Sequence, residues 1–217
     1  MKIFVIFISI TLAISSCAQS DTNSPAKTST DLDSLQTAYF ASGCFWCSEA
    51  IFETIGGISE VESGYAGGSS LDPTYGEVCS GGTGHAETVK IYYDSSIVDF
   101  ATLVDVFFNS HDPSTINQQG PDSGTQYRSI AFYENAIEKS IIQEAITKLK
   151  EDKVFSVITT KVEEFSIFYI AEDAHQNYVK NNLKRSYVQN VSKPRMQRFL
   201  EKMPSFKKSN PFDQFFV

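Results

Sequence analysis

The stretch Thr37-Ala38-Tyr39-Phe40-Ala41-Ser42-Gly43-Cys44-Phe45-Trp46-Cys47-Ser48 decides how the chain is read. Thr37 to Ala41 are small, aromatic and suited to a strand, whereas from Ser48 to Ile55 apolar residues recur at helical spacing until Gly56-Gly57 stops them. Strand, sharp turn and helix put Cys44 at a helix N-terminus. Unpaired N–H groups and the positive end of the helix dipole there favour a thiolate over a thiol. Cys47, three residues on, shares a helical face with Cys44, so the two sulfurs can meet. The residues alone leave open a buried structural pair, part of a zinc site, or a nucleophile with a second thiol beside it.

Downstream, Gly57 to Tyr65 alternates as a strand that Ala66-Gly67-Gly68 breaks, and Pro73 to Cys79 is a turn or short helix. Gly81-Gly82-Thr83-Gly84 is irregular backbone, and His85 to Asp94 is the clearest strand, with Glu87, Val89 and Ile91 on one face. Phe100 to Phe108 is an amphipathic helix. Asp112 to Gly124 is a polar loop of a length that often carries function. Tyr127 to Tyr133 is a strand, and Glu134 to Asp152 a surface helix whose inner side would be Ile137, Ile141, Ile142, Ala145, Ile146 and Leu149. Val162 to Ile170 reads as one strand, Glu172 to Tyr178 as the opening of a helix. The basic, aromatic stretch from Ser192 (Lys193, Arg195, Arg198, Lys202, Phe199, then Lys207, Phe212 and Phe216) reads as a helix covering one edge of the domain.

Upstream, Met1 to Ser16 has one positive charge, Lys2, and an apolar core too short for a comfortable membrane span, the pattern of a secretory signal. It ends Ile14-Ser15-Ser16-Cys17, which resembles a bacterial lipoprotein box with Cys17 as the lipid-bearing first residue. Ala18 to Ser34 is polar and reads as a tether. The division is therefore signal peptide 1–16, disordered tether 17–34 and one folded domain 35–217, on an exported lipoprotein anchored to a membrane and facing the periplasm or cell surface. Export implies a compartment where disulfides form.

At 217 residues and a formal charge of −8 the chain has length for one core and no basic stripe for nucleic acid. Its glycine content and β-rich runs favour an α+β fold over a helical bundle.

The irregular stretches Gly43-Cys44-Phe45-Trp46-Cys47, Gly64-Tyr65-Ala66-Gly67-Gly68, Gly84-His85-Ala86-Glu87 and Asp122-Ser123-Gly124-Thr125-Gln126-Tyr127-Arg128-Ser129 together resemble the A-type peptide methionine sulfoxide reductases, which act on the S epimer. His111-Asp112-Pro113 and Ala171-Glu172-Asp173 with His175-Gln176 fall in the same order, so the resemblance runs from about Tyr39 to Tyr178. It implies a single-domain α+β two-layer sandwich around a central mixed sheet with a ferredoxin-like core. It also implies roles. Cys44 attacks the sulfoxide sulfur, Glu87 is held neutral by burial and protonates the oxygen, and Tyr65 and Tyr127 donate hydroxyls to it. Phe45 and Trp46 form the methyl pocket, and Asp122 belongs to the polar network. Cys44 is left as a sulfenic acid. Because relatives that resolve it with C-terminal cysteines have no counterpart after Cys79 here, Cys47 becomes the resolving thiol and an external thioredoxin-like dithiol the reductant. Cys79 is assigned a structural role, and His85, His111 and His175 are expected as hydrogen-bonders. Ala174 stands where the family usually carries tyrosine. Oxidised protein methionines are the implied substrates, with no cofactor, no metal and a monomer expected. The competing readings are a thioredoxin-like disulfide carrier and an anchored zinc-binding module using Cys44, Cys47, Cys79 and a histidine.

Overall fold

Tyr39 and Phe40 are neighbours on one strand and belong to two different cores. In the computed structural model, which describes residues 32–205, strand β1 (Gln36–Ser42) sends Ala38 and Phe40 into the main hydrophobic cluster and Tyr39 and Ala41 into a smaller one. That is the two-residue period of a strand with both faces covered. The chain continues through helix α1 (Phe45–Phe52), strand β2 (Ile58–Ala66), short helix α2 (Tyr75–Cys79), strand β3 (Ala86–Tyr93) and helix α3 (Phe100–Ser110). Strands β4 (Gln118–Gln119), β5 (Asp122–Ser123) and β6 (Ser129–Tyr133) precede helix α4 (Ala136–Glu151). Strands β7 (Lys161–Glu164) and β8 (Phe168–Ile170), helix α5 (Tyr178–Asn181) and a π-helical turn at Val188–Ser192 lead into helix α6 (Lys193–Lys202).

Six strands form one mixed sheet in the order β7-β6-β1-β3-β2-β8, with every neighbouring pair antiparallel except β6 and β7. Buried side chains of the helices, among them Phe52, Leu103, Phe107, Ile142 and Phe199, all join the main cluster. Phe40 stacks within it against Phe52, Phe100 and Phe107. Each such ring contributes about 1.5–3 kcal/mol by leaving water. The α+β class, the mixed sheet and the single domain are as the sequence implied.

Four local expectations are corrected. Val162 to Ile170 is two strands at opposite edges of the sheet, not one. Between them the chain crosses the second face, where Phe165 stacks on Tyr39 at 3.6 Å and Phe168 lies 5.9 Å from the same ring. Burying these two phenylalanines outweighs a continuous ladder. In α4 Ile142 is buried and Ile141, Ala145, Ile146 and Leu149 pack against the main cluster as expected, but Ile137 is 74% exposed in the first turn, where Asn135 caps the helix by accepting the N–H groups of Ile137 and Glu138. The helix read from Glu172 is only a 3₁₀ turn, Asp173–His175, followed by α5. Asn177 interrupts it at φ 54°, a left-handed conformation that asparagine tolerates, and gives its N–H to Glu49 Oε1 at 2.9 Å. The polar loop holds a two-residue hairpin, Gln118 and Gln119 against Ser123 and Asp122.

The basic stretch does form a helix on the domain, with Arg195, Met196, Phe199 and Leu200 buried. The signal-like segment, Cys17, the tether up to residue 31 and the aromatic tail beyond Ser205 lie outside the described residues.

Candidate active site

Gly43 makes the turn on which the site depends. Its φ is +84°, and a Cβ there would sit 2.4 Å from Gln119 Cβ, so glycine meets both a backbone and a space requirement. Cys44 follows as the N-cap of α1, its carbonyl accepting the N–H of Cys47 at 3.2 Å and of Ser48 at 3.3 Å. The first free donor of the helix, the Phe45 N–H, goes to Glu87 Oε2 at 3.0 Å. Glu87 arrives on β3, paired in register with Tyr65 on β2. It is 1% exposed, and desolvation pushes its pKa to about 8 against the opposing Phe45 hydrogen bond, with the charges of Asp122 and Cys47 raising it further. At neutral pH this carboxyl group keeps a proton it can give.

Around Glu87 stands an aromatic wall. The buried Phe45 ring lies 5.4 Å from His175, 5.9 Å from Tyr65 and 6.4 Å from Tyr75. Half-buried Trp46 stacks on Tyr178 at 3.6 Å and donates its indole N–H to His175 Nδ1 at 3.2 Å. Glu172 ties the wall together, accepting the Tyr65 hydroxyl on Oε2 and the Tyr75 N–H on Oε1, each at 2.8 Å. Tyr127 sits on the 3₁₀ turn Thr125–Tyr127, where burial, then the Glu87 and Cys44 charges, push its pKa up and keep its hydroxyl a donor. Asp122 on β5 accepts the Tyr187 hydroxyl at 2.5 Å, and that hydroxyl is also in hydrogen-bond contact with Cys44. The structure therefore gathers Cys44, Phe45, Trp46, Cys47, Tyr65, Glu87, Asp122 and Tyr127 around one place.

The thiol pair departs from expectation in one respect. Burial pushes the Cys44 thiol up, and its contact with Cys47 and the Glu87 charge add to that, against the lowering hydrogen bond of Tyr187. Cys47 goes the other way, to about 6: the Cys44 hydrogen bond lowers it most, burial opposes, and the Arg195 charge and Ser192 hydroxyl lower it further. The Arg195 charge and the Ser192 hydroxyl thus favour negative charge on the Cys47 side of the pair. Both thiols are free and buried. Cys79, half-buried at the end of α2, has a pKa raised by burial despite a hydrogen bond with Tyr75.

Three residues of the site, Tyr187, Ser192 and Arg195, carry no site signal in the sequence, and a fourth, Glu172, is given no role by it. Glu172 falls within the Ala171-Glu172-Asp173 motif, but Tyr187 has no motif around it, and Arg195 looks like one more basic residue of an edge helix. The histidines are hydrogen-bonders, as expected. His85 accepts the Gly68 N–H and bonds the Ser70 carbonyl, and His111 bridges the Phe107 carbonyl and Ser129. His175 orients Trp46 by accepting its indole N–H. Among the described residues no group of three or more His, Cys, Asp and Glu side chains is placed to hold a metal ion.

A buried thiol pair facing a neutral carboxyl group and an aromatic pocket defines a cysteine-dependent oxidoreductase. The family described as peptide methionine sulfoxide reductase matches residues 36–208, and the chain belongs to that family. It is 46% identical over 165 residues to a peptide methionine sulfoxide reductase MsrA of Vesicomyosocius okutanii, covering 76% of this chain and 98% of the relative. It is 44% identical over 174 residues to the MsrA of Natronomonas pharaonis, covering 78% and 98%. The fold is similar to that of methionine sulfoxide reductase A of Corynebacterium diphtheriae, with a TM-score of 0.61 and 34% identity over 68% of this chain and 74% of that one.

Proposed function

We propose that the protein reduces methionine S-sulfoxide in oxidised proteins to methionine, with Cys44 as nucleophile, Glu87 as proton donor and Cys47 as resolving thiol. The observation that carries this reading is the convergence of a buried, protonated Glu87 with Cys44 at the N-terminus of α1, linked through the Phe45 N–H. A sulfoxide has an electrophilic sulfur, a basic oxygen and a small methyl group. Cys44 attacks the sulfur as its proton passes to Cys47, the charged sulfur in contact with it. Glu87 protonates the oxygen, Tyr127 donates to it, and Tyr65 does so by exchanging its Glu172 partner. Phe45 and Trp46 receive the methyl group, and Asp122 with Tyr187 keeps the Cys44 side polar. Swapping methyl and oxygen would put a polar atom against the aromatics, which supports the S preference.

Methionine leaves and Cys44 becomes a sulfenic acid. Cys47 condenses with it to a disulfide, releasing water, and a thioredoxin-like dithiol reduces that disulfide. No cofactor enters this scheme, and we take the protein to act as a monomer. The central strand order β6-β1-β3-β2, with α1 and α3 as the crossovers, supports reading the core as a ferredoxin-like two-layer sandwich. The apolar run before Cys17 supports export as a lipid-anchored protein, with a tether reaching the domain near residue 35.

The test is methionine formed from separated S and R sulfoxides without reductant, with free thiols counted before and after. About one methionine per enzyme from the S epimer alone, with loss of two thiols, is expected. Methionine from neither epimer would overturn the reading.

A further inference from the structure

The C-terminal helix brings a charge that the sulfoxide chemistry on the Cys44 side does not use. Arg195 on α6 is 6% exposed. Its Nε donates to the Ser110 carbonyl at 2.8 Å, and Nη2 donates to Ser42 Oγ at 3.1 Å and Ser48 Oγ at 3.4 Å. All three acceptors are neutral, and among the described residues no carboxylate lies within ion-pair distance of the guanidinium. A buried cation held by neutral dipoles keeps its field, which a low-dielectric surrounding transmits rather than screens. Cys47 is beside it. Its sulfur contacts Ser192 Oγ at 3.2 Å, one helical turn before Arg195, and Cys47 and Arg195 line the same cavity of about 260 Å³ with Asp122, Asn190, Pro194 and Arg198. Phe45, Trp46, Tyr65, Glu87 and Tyr127 do not line that cavity. Cys47 and Arg195 therefore meet at a cavity that those residues do not line.

We infer that Arg195 is a positioning residue for disulfide formation: together with Ser192 it holds Cys47 as a thiolate aimed at the sulfenic acid of Cys44. The inference rests on the reading of Cys47 as the resolving thiol. The titratable and charged groups facing Cys47 are Cys44 on its own helix, Glu87 from β3, Asp122 from β5, Tyr187 before the π-helical turn, and Arg195 and Arg198 from α6. Arg195 is the one buried cation among them. In the step itself the Cys47 thiolate attacks the Cys44 sulfur, the S–S bond forms and the S–OH bond breaks. On ionising, Cys47 passes the proton it took from Cys44 to Glu87, which had given its own to the sulfoxide oxygen; the departing hydroxide takes that proton from Glu87 and leaves as water, so Cys44–SOH and Cys47–SH become the disulfide plus H₂O.

The experiment follows disulfide formation after a single turnover on the S epimer, from pH 5 to 9, by acid quench, alkylation and mass mapping of the full chain. It compares wild type, Arg195→Lys, Arg195→Met and Ser192→Ala. Loss of the charge in Arg195→Met is expected to move the midpoint of the rate profile upward by about one pH unit or more. Below both midpoints each unit costs about threefold in rate, because a tenfold loss of thiolate is partly offset by the greater nucleophilicity of a more basic sulfur. Above both midpoints the variant is not slower. Arg195→Lys keeps the wild-type midpoint, and Ser192→Ala shifts it upward by less than Arg195→Met. A loss by one factor at every pH, or an unchanged midpoint in Arg195→Met, overturns the inference. If Arg195→Met fails to fold, the Ser192→Ala profile decides, an unmoved midpoint overturning it. A wild-type disulfide that maps to Cys44 and Cys79 instead overturns the reading of Cys47 on which the inference stands, and is seen as such in the same digest.

Discussion

Cys44 and Cys47 lie one helical turn apart and sit in opposite electrostatic settings. On the Cys44 side are a buried carboxyl group and an aromatic wall, which discourage negative charge and keep protons in place. On the Cys47 side are a buried guanidinium and a serine hydroxyl, which favour negative charge. Nucleophilic attack on a sulfoxide needs a proton delivered to oxygen, whereas resolution of a sulfenic acid needs a second thiolate. In the proposed scheme the surroundings of the two sulfurs supply these separately. The difference teaches that helix position alone does not describe the two sulfurs: desolvation and what packs on each act on them in opposite senses.

The comparison breaks most completely at Cys44. Cys44→Ser is expected to form no methionine from either epimer, in single or multiple turnover, while unfolding at nearly the wild-type temperature, because the change is small and the oxygen retains its neighbours. Methionine above background from this variant would mean that Cys47 can attack substrate, and the two sides would not be distinct. Cys47→Ser is expected to lose steady-state turnover with a dithiol reductant yet still to yield about one methionine per enzyme, more slowly, leaving a sulfenic acid that a dimedone-type probe captures.

Glu87→Gln sharpens the Cys44 side. It preserves shape and an acceptor for the Phe45 N–H but removes the transferable proton, so the methionine-forming step should fall about 100-fold, near 2.7 kcal/mol of barrier. With Glu87 at about 8 and Cys47 at about 6, that step is expected to fall below pH 6, where Cys47 is protonated and cannot take the Cys44 proton, to be level between 6 and 8, and to fall again above 8; the variant should lack the upper inflexion. The same shift has a stability consequence. A folded-state value raised above the ordinary 4.5 means the native chain binds more protons than the unfolded one between about 4.5 and 8. The contribution of Glu87 is therefore fully present below 4.5 and lost as pH rises through 8, with Glu49 adding in the same sense from its own value of about 8. Thermal unfolding of wild type against Glu87→Gln across that window checks the sign.

How far the site is legible in the sequence follows the same division. Cys44, Phe45, Trp46, Glu87, Asp122 and Tyr127 stand in glycine-rich or polar motifs, where side-chain chemistry and backbone need coincide, as at Gly43 with its positive φ and the close approach of Gln119. The order of residues along the chain is enough to find them. The Cys47 side is assembled from 187–195 by long-range packing against α1 and α3, and a buried arginine on a basic helix looks the same in sequence as its exposed neighbours Arg198 and Lys202. The split of Val162 to Ile170 is illegible for a related reason. Local alternation says that residues are extended but not which edge of the sheet receives them, and here the choice depends on Phe165 meeting Tyr39 across the second face.

The smallest effect is expected at Cys79, and it tests whether a third thiol blurs the contrast. Cys79 lies toward the substrate side, where it interacts with Tyr75, Tyr65 and Tyr127. Its pKa is raised by burial, so at neutral pH it is mostly protonated, while Cys47 is drawn down to about 6. It is also fixed in place, because α2 is closed at its start by a capping box in which Thr74 and Glu77 bond one another's backbone. A protonated thiol on a capped helix competes poorly with a thiolate one turn from the target. Cys79→Ser should therefore remain within about twofold of wild type in steady-state turnover and in the rate of disulfide formation. In a Cys47→Ser background, Cys79 should leave the Cys44 sulfenic acid unresolved over the time of a wild-type turnover. A Cys44–Cys79 disulfide appearing at wild-type rate there would show that proximity on the substrate side suffices, and that the field around Cys47 is not what selects the resolving thiol.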